Sequence, residues 1–115
     1  MRSTITSSGL ILSYVDRGQG PAFIFQHGLG ANADQPLEVM PETVRKIVLE
    51  CRGHGSSELG PDDQFSIKQY SLDLSALVKH LNLSRPIIGG ISMGAAIALK
   101  YADLCKCGGT HDTRR

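Results

Sequence analysis

The sequence predicts an α/β fold: a mostly parallel sheet of about five strands, with an antiparallel hairpin at its N-terminus and helices on its faces. The first observation is that strand and helix patterns alternate along the chain after an initial pair of strand patterns. The second is that the inner strand patterns are continuous apolar runs, which are typical of strands buried on both faces of a parallel sheet. With 115 residues, the chain forms one domain at most.

Two strand patterns, Thr4–Thr6 and Leu10–Asp16, open the chain. They are joined at Ser7-Ser8-Gly9, a turn-forming sequence that indicates a hairpin. The segment Gly18–Pro21 then breaks the chain. The apolar run Ala22–Phe25 follows, and it predicts the first strand of the parallel part of the sheet.

The middle of the chain predicts a poor helix, a strand and a good helix. Pro36 and Pro41 interrupt the first helical segment, so one or two short turns are expected there. Lys46–Leu49 predicts the next buried strand. Ser66 and Gln69 have the spacing of a capping box at the start of the second helix. Its apolar side chains form one stripe: Tyr70, Leu74, Leu77, Val78 and Leu81.

The last predicted elements are a strand and a helix joined by a tight turn. Pro86–Gly90 predicts the strand, and the Ala-rich segment from Met93 to about Leu104 predicts the helix. The tail Cys105–Arg115 shows no periodicity, so we expect it to be disordered. The predicted domain therefore covers residues 1–104, followed by a tail over residues 105–115.

Charge and composition exclude several classes of function. The formal net charge is +1 without a basic run, so neither nucleic acid nor a membrane surface is an expected partner. No apolar stretch is long enough for a signal peptide or a membrane span. The three cysteines are an odd number without the spacing of a disulfide framework, which favours a reducing, cytoplasmic location.

The most informative segment runs from Ile87 to Leu99 and contains the pattern Gly90-x-Ser92-x-Gly94. In a nucleophile elbow, strand–turn–helix geometry exposes a serine hydroxyl at the carboxyl edge of a sheet. The turn needs small neighbours because the serine adopts a strained conformation. The apolar run before the pattern and the Ala-rich run after it supply the context that this motif requires. The alternative interpretation of Ser92 is a helix-capping serine after a strand.

Three motifs follow successive buried strands. They are His27-Gly28, then Arg52-Gly53-His54-Gly55-x-Ser57, then the Ser92 pattern. Together with their spacing, they resemble the N-terminal half of an α/β-hydrolase of the esterase or lipase-like branch, over roughly residues 9–102. The resemblance implies an incomplete α/β-hydrolase fold. One departure is Glu50, where the family more often has Asp. A larger one is that the family continues after the elbow helix with further strands, a lid, an acid and a catalytic histidine.

The resemblance implies a role for each residue of the predicted site. Ser92 would be the nucleophile, and its position at a helix N-terminus would place free N–H groups beside a developing oxyanion. One oxyanion-hole donor would be the backbone N–H of Met93, and the other would be that of Leu29. The implied substrates are carboxylic esters or related acyl compounds, and no cofactor is implied.

Other residues of the motifs would shape this site. His27 would shape the loop that carries the second donor, while Gly28 and Gly30 would let that loop approach the substrate closely. Gly90 and Gly94 would allow the tight turn around the serine.

A serine hydroxyl needs an imidazole base within hydrogen-bond reach, itself oriented by a carboxylate. The resemblance gives His27 a loop-shaping role instead. His54 is more simply a residue that hydrogen-bonds within its own turn. His80 is more simply an exposed residue near the C-terminus of a helix.

His111 follows Ser92 in the chain, which is the order in the family, and Asp103 or Asp112 would be its acid. The elbow helix carries the chain about 18 Å away from Ser92 at ~1.5 Å per residue. The segment from Cys105 to His111 spans at most ~25 Å when fully extended. Because no predicted strand holds this tail, we do not expect an ordered triad, and we expect the chain to be inactive alone.

Two other motifs have weaker interpretations. Arg52–Ser57 suggests a phosphate-binding loop but lacks the Gly-x-x-x-x-Gly-Lys pattern, so a tight loop supporting the active-site edge is favoured. Cys105, Cys107 and His111 offer three soft ligands where structural zinc sites need four, so no metal is expected. Cys51, beside a buried strand, is interpreted as a small buried hydrophobe.

Three hypotheses about function remain open. The first is a serine hydrolase-like protein that acts on a small acyl substrate and is inactive as this chain. The second is a non-catalytic fragment. The third is an interaction module that self-associates through an unfinished sheet edge at Pro86–Gly90, because an apolar edge strand is a pairing hazard.

Overall fold

The computed structural model describes residues 2–61 and 65–107, with the backbone alone for residues 106 and 107. It contains five strands and three helices in this part of the chain. The strands are β1 (Arg2–Ser7), β2 (Leu10–Arg17), β3 (Ala22–Gln26), β4 (Arg45–Leu49) and β5 (Ile87–Gly90). The helices are α1 (Asp34–Leu37), α2 (Ile67–His80) and α3 (Met93–Cys107).

The strands form one mixed sheet, which confirms the predicted fold class. Their order is β1-β2-β4-β3-β5, so that β5 is an outer strand of the part of the sheet that is described. The first two strands pair with each other as an antiparallel hairpin, and β2 also runs antiparallel to β4. Both neighbours of β3 are parallel to it. Parallel neighbours require crossover connections, and helices α1 and α2 lie in those connections.

Apolar side chains of alternating residues pack on the two faces of the sheet. On the face that packs against α2 and α3, the core includes Leu12, Ile24 and Ile47, all without solvent exposure. On the opposite face, Val15, Val48 and Met40 form a smaller cluster beside α1. Successive side chains of a strand point to opposite faces of the sheet. A single apolar strand therefore contributes side chains to both clusters.

The bounds of several elements differ from those predicted. Strands β1 and β4 begin earlier than predicted, and β2 begins as predicted but ends one residue later, because backbone pairing with a neighbour extends beyond the apolar residues. The interrupted helix is a single four-residue turn, α1. The last helix does not end near Leu104 but continues to Cys107. Between Leu104 and Gly108 the sequence has no Pro or Gly that would end a helix. The lack of periodicity after Leu104 therefore predicted the end of the helix wrongly. The remaining tail, residues 108–115, lies outside the described residues.

Helix α2 begins as its capping pattern predicts, but only one half of the box forms. The Ser66 side chain accepts a hydrogen bond from the Gln69 N–H at 3.0 Å. The Gln69 side chain instead donates to Asp73 Oδ1 at 3.0 Å. The predicted stripe is buried from Tyr70 to Val78. Among the described residues, no helix has the length and apolar character needed to cross a membrane.

Candidate active site

The parallel pairing of β3 and β5 brings two of the predicted loops together. Gln26 and Gly90, the last residues of these strands, are register partners. The Ile91 N–H donates to the Gln26 carbonyl at 2.9 Å, which extends this contact one residue beyond the strand. The loops that follow, His27–Gly30 and Ile91–Met93, therefore begin at the same level of one sheet edge. In open α/β sheets, ligands bind at this carboxyl edge.

Ser92 occupies the turn between β5 and α3 in a left-handed conformation. Its φ is +54°, which is unfavourable for a residue with a Cβ, and its side chain is exposed. The turn is closed by a hydrogen bond from the Gly94 N–H to the Ile91 carbonyl at 2.8 Å. The Ser92 carbonyl accepts from the Ala95 N–H at 2.9 Å, which starts helix α3. Ser92 keeps this strained conformation because strand β5 and helix α3 fix the backbone on either side of the turn.

Gly90 and Gly94 are required by close approaches of the backbone. A Cβ on Gly90 would overlap the backbone of Gly94 and Ala95. A Cβ on Gly94 would lie 2.6 Å from the Gln26 carbonyl carbon and 2.8 Å from the His27 oxygen. Real Cβ atoms do not make contacts under 3.0 Å, so both positions demand glycine. The first turn of α3 consequently packs directly on the end of β3.

The His27–Gly30 loop lies against Ser92. A Cβ built on Gly28 would be 3.6 Å from the Ser92 Cβ and 3.3 Å from the Ile91 oxygen, so little space separates the two loops. Gly30 has a φ of +79° with open space around it, so its conformation alone accounts for glycine there. The Leu29 side chain is 76% exposed.

Within the described residues, several backbone N–H groups of these loops have no acceptor, and those of Leu29 and Met93 are among them. Within residues 2–61 and 65–107, neither the Leu29 N–H nor the Met93 N–H donates a hydrogen bond. They belong to the two residues for which the family resemblance implies an oxyanion-hole role. An N–H that the protein leaves unbonded beside an exposed hydroxyl is free to bind an oxyanion.

The His27 ring is buried and both of its nitrogens contact backbone groups. Nε2 accepts a hydrogen bond from the Cys51 N–H at 3.0 Å, so Nδ1 carries the proton and donates to the Gly28 carbonyl at 2.8 Å. Burial lowers the pKa of His27, which favours this neutral form. No ring nitrogen is left to take a proton from Ser92.

The other candidate bases and acids lie elsewhere. His54 contacts the carbonyl of Arg52 through Nδ1 at 3.0 Å, and its ring lies 4.9 Å from the His27 ring. His80 is exposed and packs edge-on against Tyr14. Asp103 lies on α3, about 16 Å along the helix from Ser92 at ~1.5 Å per residue. His111 and Asp112 lie outside the described residues.

The loop after β4 is a structural support and not a phosphate site. The Arg52 side chain is completely buried and donates to both carboxylate oxygens of Asp73 on α2, at 2.8 and 3.1 Å. It therefore points into the protein, away from any ligand at the edge. The Ser57 hydroxyl donates to the Glu50 carbonyl at 2.6 Å and accepts from the Ser13 N–H at 2.7 Å.

The Glu50 carboxylate ties this loop to the chain beyond the His27–Gly30 loop. It accepts hydrogen bonds from Arg2 and from the backbone N–H groups of Ala33 and Ser56, all between 3.0 and 3.1 Å. Burial alone raises the pKa of Glu50, but these donors outweigh that effect and lower it to about 2. The departure from Asp at this position therefore retains a charged, fully bonded carboxylate.

Two glutamines at the site were not identified from the sequence. The buried Gln26 side chain bonds to both the N–H and the carbonyl of Leu49 at 2.9 Å, as a neighbouring strand would. Its sequence signal is a polar residue at the end of an apolar strand. Gln35 on α1 accepts a hydrogen bond from the Gly28 N–H at 2.7 Å. Its position in an interrupted helix gives no signal, because the contact depends on tertiary structure.

The described residues contain no group of His, Cys, Asp and Glu side chains that could hold a metal ion. Cys107 and His111, which the sequence offers as too few ligands for a zinc site, lie outside the described side chains. Cys51 is buried, and burial raises the pKa of its thiol to about 12. It therefore behaves as the small buried hydrophobe that the sequence predicts.

Comparison with known proteins establishes the family. Residues 21–105 match the family model described as alpha/beta hydrolase fold. The chain belongs to the α/β-hydrolase family. This segment contains β3, both loops at the candidate site and nearly all of α3.

Three similar proteins illustrate the range of the family. The chain is 36% identical over 93 residues to the magnesium-chelatase 30 kDa subunit of Rhodobacter capsulatus, covering 76% of this chain and 33% of that protein. It is 34% identical to 3-oxoadipate enol-lactonase 2 of Acinetobacter baylyi, covering 81% of this chain and 36% of that protein. The crystal structure of E-2-(acetamidomethylene)succinate hydrolase superposes with a TM-score of 0.75 at 26% identity, covering 89% of this chain and 39% of that one. The chain thus spans about a third of the length of the curated relatives it matches.

Proposed function

We propose that this chain provides the nucleophile side of a serine hydrolase site for carboxylic esters or related acyl compounds. Ser92 is the nucleophile, and the backbone N–H groups of Leu29 and Met93 form the oxyanion hole. The observation that carries the proposal is the position of an exposed, left-handed serine beside two unbonded N–H groups. A serine that only capped a helix would use its hydroxyl to accept from the helix backbone. Among the described residues, the Ser92 hydroxyl makes no such bond.

The chemistry follows from this arrangement. The Ser92 oxygen attacks the acyl carbon and loses its proton to a base, and the carbonyl oxygen becomes negatively charged. The two N–H groups bind this oxygen, and each such donor contributes roughly 3–4 kcal/mol in a working acyl-transfer enzyme. The bond to the leaving oxygen then breaks, the leaving group takes up a proton, and an acyl-serine remains for hydrolysis by water.

The names of the relatives support acyl substrates with a carbon–oxygen or related bond. A lactone is a cyclic ester, so an enol-lactonase opens a bond of the proposed type. The relative that hydrolyses 2-(acetamidomethylene)succinate is also a hydrolase of the same fold. The exposed serine, in place of an aspartate nucleophile, favours acyl transfer for this chain as well.

We further propose that the 115-residue chain turns over substrate poorly. Both nitrogens of His27 are engaged, and within the described residues no imidazole contacts Ser92. Hydrolases that lose their triad partners retain about 10³–10⁴-fold catalysis over water, from the oxyanion hole and binding alone. A slow single acylation of Ser92 is therefore expected, without efficient hydrolysis of the acyl-serine.

The test is the reaction of the purified chain with p-nitrophenyl acetate. We expect a slow release of one equivalent of p-nitrophenolate above the uncatalysed rate, together with acetylation at Ser92 by mass spectrometry. Ser92→Ala should abolish this release, whereas Ser84→Ala, at another exposed serine, should leave it unchanged. Release that is unaffected by Ser92→Ala would refute the proposal. Sustained turnover would refute the proposal that the chain turns over substrate poorly.

A second candidate function is self-association through β5. This strand pairs on one side only within the described residues, and its Ile87 side chain is 56% exposed. An unpaired apolar edge strand is a template for pairing with another chain. We expect oligomers in light-scattering measurements, and we expect Ile87→Lys to shift them to monomers because charge protects an edge. A wild-type monomer at high protein concentration would exclude this function.

A cytoplasmic location is also part of the proposal. Cys51 and Cys105 are free thiols, as expected in a reducing compartment. Fractionation of cells that express the tagged chain tests this location, and recovery outside the cytoplasm would contradict it.

A further inference from the structure

Gln35 connects helix α1 to the loop that carries one of the proposed oxyanion donors. Its side-chain oxygen accepts a hydrogen bond from the Gly28 N–H at 2.7 Å. The residue is exposed, so the short α1 turn does not need it for burial of apolar surface. Pro36, the next residue, is buried and anchors the turn. The position of Gln35 is thus set by the fold, while its side chain makes a polar contact outside the core.

Gly28 needs external contacts because it lacks a side chain. A glycine has access to a wide range of φ and ψ angles, so the two peptide planes on either side of it are free to rotate relative to one another. The plane that follows Gly28 is held at its carbonyl, which accepts from His27 Nδ1 at 2.8 Å and from the Ala31 N–H at 3.1 Å. The plane that precedes Gly28 is held at the Gly28 N–H by Gln35.

The direction of the Leu29 N–H follows from these contacts. In a trans peptide, the carbonyl and the N–H point in opposite directions. Holding the Gly28 carbonyl toward His27 and Ala31 therefore turns the Leu29 N–H away from both. Gln35 completes this arrangement by fixing the remaining plane.

Gln35 also lies close to the nucleophile. A Cβ built on Gly28 would be 3.5 Å from the Gln35 side-chain oxygen and 3.6 Å from the Ser92 Cβ. Gln35 and Ser92 therefore both pack against Gly28. We propose that Gln35 is a positioning residue: by accepting the Gly28 N–H it fixes the peptide plane before Gly28, and the plane that carries the oxyanion-hole N–H of Leu29 is then held on both sides of the glycine. Its catalytic meaning depends on the function proposed above.

The test combines amide hydrogen exchange with the acylation of Ser92. Gln35→Met preserves the length and apolar stem of the side chain but removes the acceptor. We expect the Gly28 N–H to exchange about 5- to 10-fold faster in this variant, as for the loss of one hydrogen bond. The Ser92-dependent release of p-nitrophenolate should slow by at least about 5-fold, because the donor is no longer held in place.

The controls separate positioning from folding. Gln19→Met makes the same change at an exposed glutamine in the turn before β3, and it should alter neither measurement. Gln35→Glu retains an acceptor for the Gly28 N–H. In this variant the Gly28 N–H should therefore exchange as slowly as in the wild type. The urea midpoint of Gln35→Met should fall by no more than the loss of one hydrogen bond implies, so the variant stays folded in both measurements, and Gln35→Glu should restore the wild-type midpoint.

Each outcome decides a different claim. Unchanged Gly28 exchange in Gln35→Met overturns the positioning role, even if Ser92 reacts. Faster Gly28 exchange with unchanged acylation also overturns it, because the contact then has no effect on the site. If the wild-type chain shows no Ser92-dependent release, the proposed function fails, and the exchange data still decide whether Gln35 holds the loop.

Discussion

Two regions at the same edge of the sheet use their polar groups in opposite ways. In the loop after β4, the charged side chains of Glu50 and Arg52 are buried and bonded to several partners. In the loops after β3 and β5, the Leu29 and Met93 N–H groups have no acceptor within the described residues, and Ser92 is exposed. A motif rich in Gly, His and Ser therefore supports the proposed site in one case and forms it in the other. The difference lies in which polar groups remain unbonded.

The largest effect is expected at the buried ion pair of the supporting loop. Arg52→Met leaves the Asp73 carboxylate buried without its cation, and breaking such a pair costs about 3–5 kcal/mol of the free energy of unfolding. Urea unfolding followed by circular dichroism measures this loss. Lys100→Met, which breaks a surface pair of 3.9 Å with Asp103, should cost at most ~1 kcal/mol. Similar losses in the two variants would show that the Arg52 pair is not an essential support.

The next effect is the acid sensitivity that Glu50 confers. Its pKa is about 2 in the folded chain against an ordinary value of 4.5, so folding favours the charged carboxylate. The stabilisation is present above pH 4.5 and is lost as the pH falls toward 2, by an amount on the order of 3 kcal/mol.

Urea midpoints measured from pH 6 to pH 2.5 test the Glu50 prediction. Glu50→Gln should be less stable at pH 6 and should show a flatter pH dependence than the wild type. Parallel pH profiles for the two proteins would assign the acid sensitivity to other carboxylates.

A smaller loss is expected where the two site loops meet. Gly94→Ala places a Cβ 2.6 Å from the Gln26 carbonyl carbon, and such overpacking costs about 1–3 kcal/mol. Gly30→Ala, in open space at a φ of +79°, should cost only the ~1–2 kcal/mol of the left-handed conformation. Both costs are measured by urea unfolding. The p-nitrophenolate release should be lost in Gly94→Ala, because the turn can no longer pack on β3. Full reactivity in that variant would show that this close packing is unnecessary for the site.

The smallest effect has the opposite sign. Ser92→Gly removes the strain of a Cβ at a φ of +54°, and we expect a gain of about 1 kcal/mol in the free energy of unfolding with complete loss of acylation. Ser8→Gly, at a φ of +48° in the hairpin turn, should give a similar gain with acylation unchanged. A loss of stability in Ser92→Gly would mean that the serine contributes to folding and is not held there for function.

The sequence predicts the fold well where local patterns decide it. Apolar runs and alternation predict all five strands, and the Ser66 cap predicts the start of α2. The bounds are less predictable, because strand ends depend on backbone pairing and the end of α3 has no Pro or Gly before Gly108.

The candidate site was predictable only in part. The spacing of the glycines around Ser92 anticipated a tight turn, and the close approaches at Gly90 and Gly94 explain it. The contacts of Gln26 and Gln35 were not predictable, since each joins residues that tertiary structure brings together. Side-chain hydrogen bonds of this kind leave no periodic signal in a sequence.

The most direct test of the site is to observe the two N–H groups when an oxyanion-like group is attached to Ser92. The chain is reacted with diethyl p-nitrophenyl phosphate, and the adduct is compared with the free chain by amide NMR. If the Leu29 and Met93 N–H groups form the oxyanion hole, their proton signals should move downfield more than all others, and those of the loop after β4 should remain in place. An adduct on Ser92 that leaves both signals unchanged would contradict the account.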